Sequence, residues 1–105
     1  MKTAIIAIAA VMSLAGAADA AERMTDMAYV KAARCKGIAS GVGQTDTAAL
    51  DNLLKEQGRS REVYIRQRAE NEMTRARREA GRGDENRTRL GAELAGPCAA
   101  FLNPA

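Results

Sequence analysis

The sequence predicts an all-α fold: a small four-helix domain with a kinked or split last helix, stapled by one disulfide. Three observations lead there. Apolar residues recur at helical spacing in four successive segments, and no alternating run of Val, Ile or Thr marks a strand. Ser, Thr or Asp stands where each segment would begin, and glycine stands where three of them would end. The two cysteines, Cys35 and Cys98, fall inside the apolar stripes of the first and last segments.

The first predicted helix starts at its cap, Thr25, and reaches about Gly41. Met24, Met27, Ala28, Cys35, Ile38, Ala39 and Val42 share one face at a spacing of about 3.6 residues, with Lys31 snorkelling from the edge of that stripe. Gly41, Val42 and Gly43 loosen the backbone before Thr45 or Asp46 caps a second helix through Gln57, with Leu50, Leu53 and Leu54 turned inward and Gly58 as its stop. Ser60 caps the third and longest, Arg61 to Ala80, whose narrow face is Ile65, Ala69, Met73, Ala76 and Ala80. Such small side chains favour a close neighbour but bury little area each. After Gly81-Arg82-Gly83, Asp84 caps a fourth helix to Ala95, which Gly96-Pro97 interrupts because proline lacks an amide donor. Leu90, Leu94, Pro97, Cys98 and Phe101 keep one helical phase through the break, so the helix is kinked or split and not a loose tail.

Residues 1–20 read as a cleaved secretory signal: Lys2, an apolar run from Ala4 to Leu14, and the small-residue exit Ala18-Asp19-Ala20. The apolar stretch falls short of the roughly 18 to 20 residues of a spanning helix, so no stable membrane span is expected. Cleavage after Ala20, with Ala17 as second choice, leaves residues 21–105 as a single domain in the periplasm or outside the cell. Such a compartment permits disulfides. A redox pair would need Cys-x-x-Cys and a structural zinc site four Cys or His ligands, and this chain has two cysteines and no histidine. Cys35 and Cys98 are therefore assigned to a structural disulfide, with free or intermolecular thiols as the alternative, and the first and last helices are expected to be neighbours.

The same inventory argues against catalysis. No histidine is available for a Ser-His or Cys-His nucleophile, the glycines at 37, 41 and 43 form no phosphate-cradling loop, and Ser40 and Ser60 lie in no nucleophile-elbow pattern. No catalytic residue, metal site or cofactor is expected. Arginine is the other salient feature, with ten between Arg59 and Arg89 against six acids. Arg75, Arg77 and Arg78 form the densest cluster and are the candidate anion-binding residues. A competing reading treats the segment as a solvated face laced by i,i+4 pairs: Glu62 with Arg66, Arg66 with Glu70, Arg68 with Glu72, Arg75 with Glu79 and Glu85 with Arg89. Nucleic acid is not an expected partner, because the net charge is only +3 and no aromatic side chains interleave with the arginines.

In plan, a small exported helical domain with one long-range disulfide resembles the periplasmic acid-stress chaperones of the HdeA type, although no motif of the chain carries that likeness. The resemblance implies a stress chaperone as an alternative. The residues themselves point to a non-catalytic interaction module for an anionic envelope component or a protein partner. The intact mass of the exported protein should correspond to a start at Ala21, with neither thiol open to alkylation before denaturation. A product that retains residues 1–20, or one with two reactive thiols, contradicts this reading.

Overall fold

Thr25 opens the first helix as expected, its hydroxyl accepting the Ala28 amide at 3.0 Å. The computed structural model describes residues 24–103, so the signal segment and both cleavage sites lie outside the described residues. Within them the order is α1 (Asp26–Val42), α2 (Ala48–Gly58), α3 (Val63–Ala80), α4 (Asp84–Ala95) and the single turn α5 (Ala99–Leu102), with no strand. The fourth predicted helix is thus split at Gly96-Pro97. Across the break the Cys98 amide donates to the Glu93 carbonyl at 3.1 Å, a wider turn than the α-helical one. Cys98 stays fully buried and Phe101 packs against the core, while Pro97 is rotated out to solvent.

α1 is the central element, buried on two sides. Toward α3, Tyr29 and Ala33 cluster with Ile65 and Ala69. On the other side Ala32, Cys35, Ile38 and Ala39 join Leu50 of α2, Ala76 and Ala80 of α3, Leu90 and Leu94 of α4, and Cys98. Leu54 packs against both clusters and closes the gap between them. The disulfide joins Cys35 to Cys98 with their Cα atoms 5.7 Å apart, so the first and last helical segments are neighbours. Closing a chain separation of 63 residues contributes about 4 kcal/mol in the chain-entropy account.

The main partner of α1 is nevertheless α3, for a reason that lies in two glycines. Gly37 sits so close to α3 that a Cβ there would overlap the Met73 carbonyl oxygen. A Cβ on Gly41 would come within 2.6 Å of the Ala80 Cβ and 2.7 Å of the Arg77 carbonyl oxygen. Gly37 and Gly41 are one turn apart, so together they cut a notch in α1 into which the α3 backbone fits. As α1 advances from Ala33 to Gly37 to Gly41, its contacts on α3 advance from Ala69 to Met73 to Arg77 and Ala80. The two helices are therefore parallel, and α2 is the return crossing between them.

Several expectations change. Gly41 is part of the α1 interface and does not loosen the chain; the helix runs on to Val42 and ends at Gly43, whose φ of 84° lets its amide reach the Ala39 and Ser40 carbonyls. Thr47, not Thr45 or Asp46, is the N-cap residue of α2, and Gly58 is its last residue. Arg59 and Ser60 form a turn, so α3 starts at Val63 after Glu62. Gly83 occupies the position before α4, and Asp84 lies inside its first turn, where its charge favours the helix dipole. Met27, expected inside, is 82% exposed: it lies about 200° around the helix from Tyr29, whose side faces α3.

The notch gives glycine-to-alanine substitution opposite signs in two helices. Gly91 of α4 has nothing within 4 Å of an added Cβ, so Gly91→Ala should stabilise by up to about 1 kcal/mol through helix propensity. Gly37→Ala should destabilise by about 1 to 3 kcal/mol, because overlap with the Met73 backbone outweighs the same propensity gain. Urea unfolding of both variants measures the difference, and equal shifts of one sign would mean that α1 and α3 do not meet at Gly37.

Candidate functional site

At the C-terminal end of α3, Arg75 and Arg78 are i and i+3 and project from one face, and the turn after Ala80 brings Arg82 beside them. With Asn71, Thr74 and Glu79 they line a polar depression of about 490 Å³. Arg75 is 74% exposed and has one distant carboxylate, Glu72 at 3.8 Å. Glu79 is drawn away to Arg89 at 3.4 Å. Among the described residues, neither Arg78 nor Arg82 has a carboxylate oxygen within 4.0 Å. Three guanidinium groups thus share one depression with little of their charge neutralised.

Arg77 does not belong to this group. It is about 200° around the helix from Arg75, and its backbone packs on Gly41. Its place is taken by Arg82, which lies past the end of α3 in the bend after Gly81, so neither charge density nor helical period singled it out. Arg77 and Arg78 also lie in the last turn of α3, where cations oppose the partial negative charge of the helix end. Arg78 therefore contributes to the helix whatever else it does.

Two other arginines are committed to the architecture. Arg34 of α1 donates through Nε to Glu93 Oε2 at 2.8 Å and through Nη2 to Glu93 Oε1 at 3.0 Å. Its Nη1 donates to Glu72 Oε2 at 3.1 Å. One planar group thereby ties α1 to both α3 and α4, the two-pronged geometry that guanidinium is suited to. The hydrogen bonds from Arg34 hold the Glu93 carboxyl below the usual carboxylate range against the opposing effect of burial, with further help from the nearby charges of Lys31 and Arg89. Glu93 in turn raises the pKa of Arg34, chiefly through the same hydrogen bonds.

Arg61 is the second clamp. It donates to Asp26 at 2.7 Å, to the carbonyl of Met24, and to the backbone and side-chain oxygens of Gln57 at 3.0 Å each, while its guanidinium carbon lies 5.2 Å from the centre of the Tyr29 ring. It fixes the start of α1 to the end of α2. Lys36 plays a smaller part of the same kind, reaching Asp51 at 2.7 Å and the Thr47 hydroxyl at 3.1 Å. Each of these groups pairs across helices. Accordingly none of the five expected i,i+4 pairs lies within 4.0 Å among the described residues: Glu72 turns to Arg34 and Arg75, and Glu79 to Arg89.

Among the described residues no group of three or more His, Cys, Asp or Glu side chains is placed to hold a metal ion, and no helix is long and apolar enough to cross a membrane. No known protein family, curated protein or solved structure matches the chain. The site is therefore read from its own geometry.

The Arg34 bridge implies an acid dependence of stability. An unfolded glutamate titrates at about 4.3, and Glu93 titrates lower in the folded protein, so its contribution is complete above that unfolded value and is lost as pH falls through the folded one. Urea unfolding followed from pH 6 down to about 3 should show a smaller loss of stability in Glu93→Gln than in the parent chain. Identical slopes in the two proteins would remove Glu93 as a source of acid sensitivity.

Proposed function

We propose that the protein is a non-catalytic binding module of the periplasm or cell exterior that holds an anionic envelope component, or an acidic protein, on the face formed by Arg75, Arg78 and Arg82. One observation carries the reading: the three guanidinium groups converge on a shared depression, and Arg78 and Arg82 have no carboxylate of their own among the described residues. The secretory signal read in residues 1–20 and the buried disulfide support the compartment. Phosphate-bearing envelope polymers and lipid headgroups offer what such a face lacks, several acceptor oxygens for planar, charged donors.

The alternative, a stress chaperone of HdeA-like plan, rests on a different observation: Met27, Val63 and Tyr64 are large apolar side chains left exposed. The two readings differ in salt response. A basic binding face loses its ligand as ionic strength rises, because the screening length shrinks to about 8 Å at physiological salt. A chaperone keeps a denaturing client soluble through apolar contact.

The oxidised protein should be retained by immobilised heparin and by vesicles containing anionic lipid at low salt, and released as salt is added. Arg78→Glu combined with Arg82→Glu should abolish retention, whereas Arg77→Glu should leave most of it because that side chain projects from another face. Equal retention of the double variant and the parent removes the face. Absence of binding by the parent, together with suppression of client aggregation, favours the chaperone reading.

A further inference from the structure

A second surface, at the opposite end of the α1–α3 pair, has a different chemistry. On the N-terminal half of the pair, beside the packed cluster of Tyr29, Ala33, Ile65 and Ala69, α1 and α3 flank a groove of about 500 Å³, within the range of small-molecule sites. Its apolar lining is Val30 of α1 and the buried Ile65 of α3, with the exposed Met27 of α1 standing at the edge. Met27, the most exposed large apolar side chain among the described residues, is unbranched and adapts readily to the shape of a guest.

The charged residues on the rim divide into two kinds. The acids are spent: Asp26 is held by Arg61 at 2.7 Å and Glu72 by Arg34 at 3.1 Å. The cations Lys31 and Arg68 have no carboxylate within 4.0 Å among the described residues, although Lys31 helps to hold Glu93 ionised from a greater distance. The register that sets Gly37 against Met73 and Gly41 against Arg77 also brings Lys31 and Arg68 to the same level on the two walls. Below that level, toward the helix N-termini, the lining is hydrocarbon and thioether.

We infer that this groove binds a medium-chain fatty acid anion, its carboxylate between Lys31 and Arg68 and its chain along Met27, Val30 and Ile65. The charge asymmetry selects an anionic head, and the apolar lining accepts a hydrocarbon tail. An extended peptide is a poorer guest, because its backbone donors and acceptors need partners and both walls are helices whose own backbone groups are already paired internally. A peptide helix, about 10 Å across, needs a wider seat than three side chains provide. The inference is independent of the Arg75–Arg78–Arg82 face, which shares no residue with the groove.

The test uses the full chain, purified with its disulfide formed and its methionine methyl groups labelled for NMR. Sodium laurate, titrated below its critical micelle concentration, should bind saturably with one site and shift the Met27 methyl resonance. Lys31→Glu combined with Arg68→Glu should weaken laurate at least about tenfold, as expected when close, favourable charge contacts become repulsive. Arg78→Glu with Arg82→Glu should leave laurate binding unchanged even where it abolishes heparin retention, so the two sites stand or fall separately. Dodecyltrimethylammonium, which has the same chain length and the opposite charge, should bind far more weakly than laurate. The inference is overturned if the Met27 resonance does not move, if the cationic amphiphile binds as well as laurate, or if an acidic apolar peptide fills the groove and laurate does not. Should the Lys31/Arg68 variant lose helicity, the Met27 shift and the amphiphile comparison in the parent protein still decide the matter.

Discussion

The close approach of α1 and α3 at Gly37 and Gly41 is the constraint on which the rest of the molecule depends. With only three aromatic residues in the whole chain, there is little large side-chain volume to fill a wide gap between helices. Removing two Cβ atoms from α1 lets the α3 backbone settle directly onto it, and dispersion between closely packed backbones replaces some of the area that large side chains would otherwise bury. The alanines of α3, which bury little area individually, become effective because nothing separates them from α1. Ala76 and Ala80 are fully buried for this reason.

That contact also decides where the other elements go. Two parallel helices held face to face require a return crossing, which α2 supplies, and they leave the far side of α1 to be covered by Leu50, Leu90, Leu94 and the disulfide. The arginines then divide according to their position relative to the pair. Arg34 and Arg61 lie where helices meet and become clamps, each holding partners distant in sequence. Arg75 and Arg78 lie on the outer face of α3 and Arg82 just past its end, with most of their charge turned to solvent. Arginine richness, a single feature in composition, therefore resolves into structural bracing and a separate basic face.

The two candidate sites lie toward opposite ends of the α1–α3 contact. At the C-terminal end of the α1–α3 pair the surface is polar and basic; at the N-terminal end it is apolar with basic flanks. In both places acidic neighbours are drawn off by other cations, Glu79 by Arg89 and Glu72 by Arg34, so that the exposed positive charge is not cancelled locally. A chain of modest net charge, +3, can in this way present two regions of unbalanced charge without being strongly basic overall.

The sequence by itself determined the helical class, the position of each helix to within a few residues, the cysteine pairing and the split at Gly96-Pro97. These follow from local rules: period, capping, proline chemistry and the absence of any other partner for two cysteines. It was weaker at helix starts, where several capping residues stand close together and only the tertiary path selects one; Arg61, for example, is pulled into a clamp and α3 starts two residues later than expected. Only the tertiary structure decided that Gly37 and Gly41 form an interface, that Met27 and Pro97 face solvent, that Arg82 and not Arg77 joins Arg75 and Arg78, and that Arg34 bridges Glu72 and Glu93 across separations of 38 and 59 residues. The reason is common to all of these: helical spacing shows which residues share a face, but which faces meet, and at what register, depends on how far two backbones can approach, a property of the pair and not of either segment.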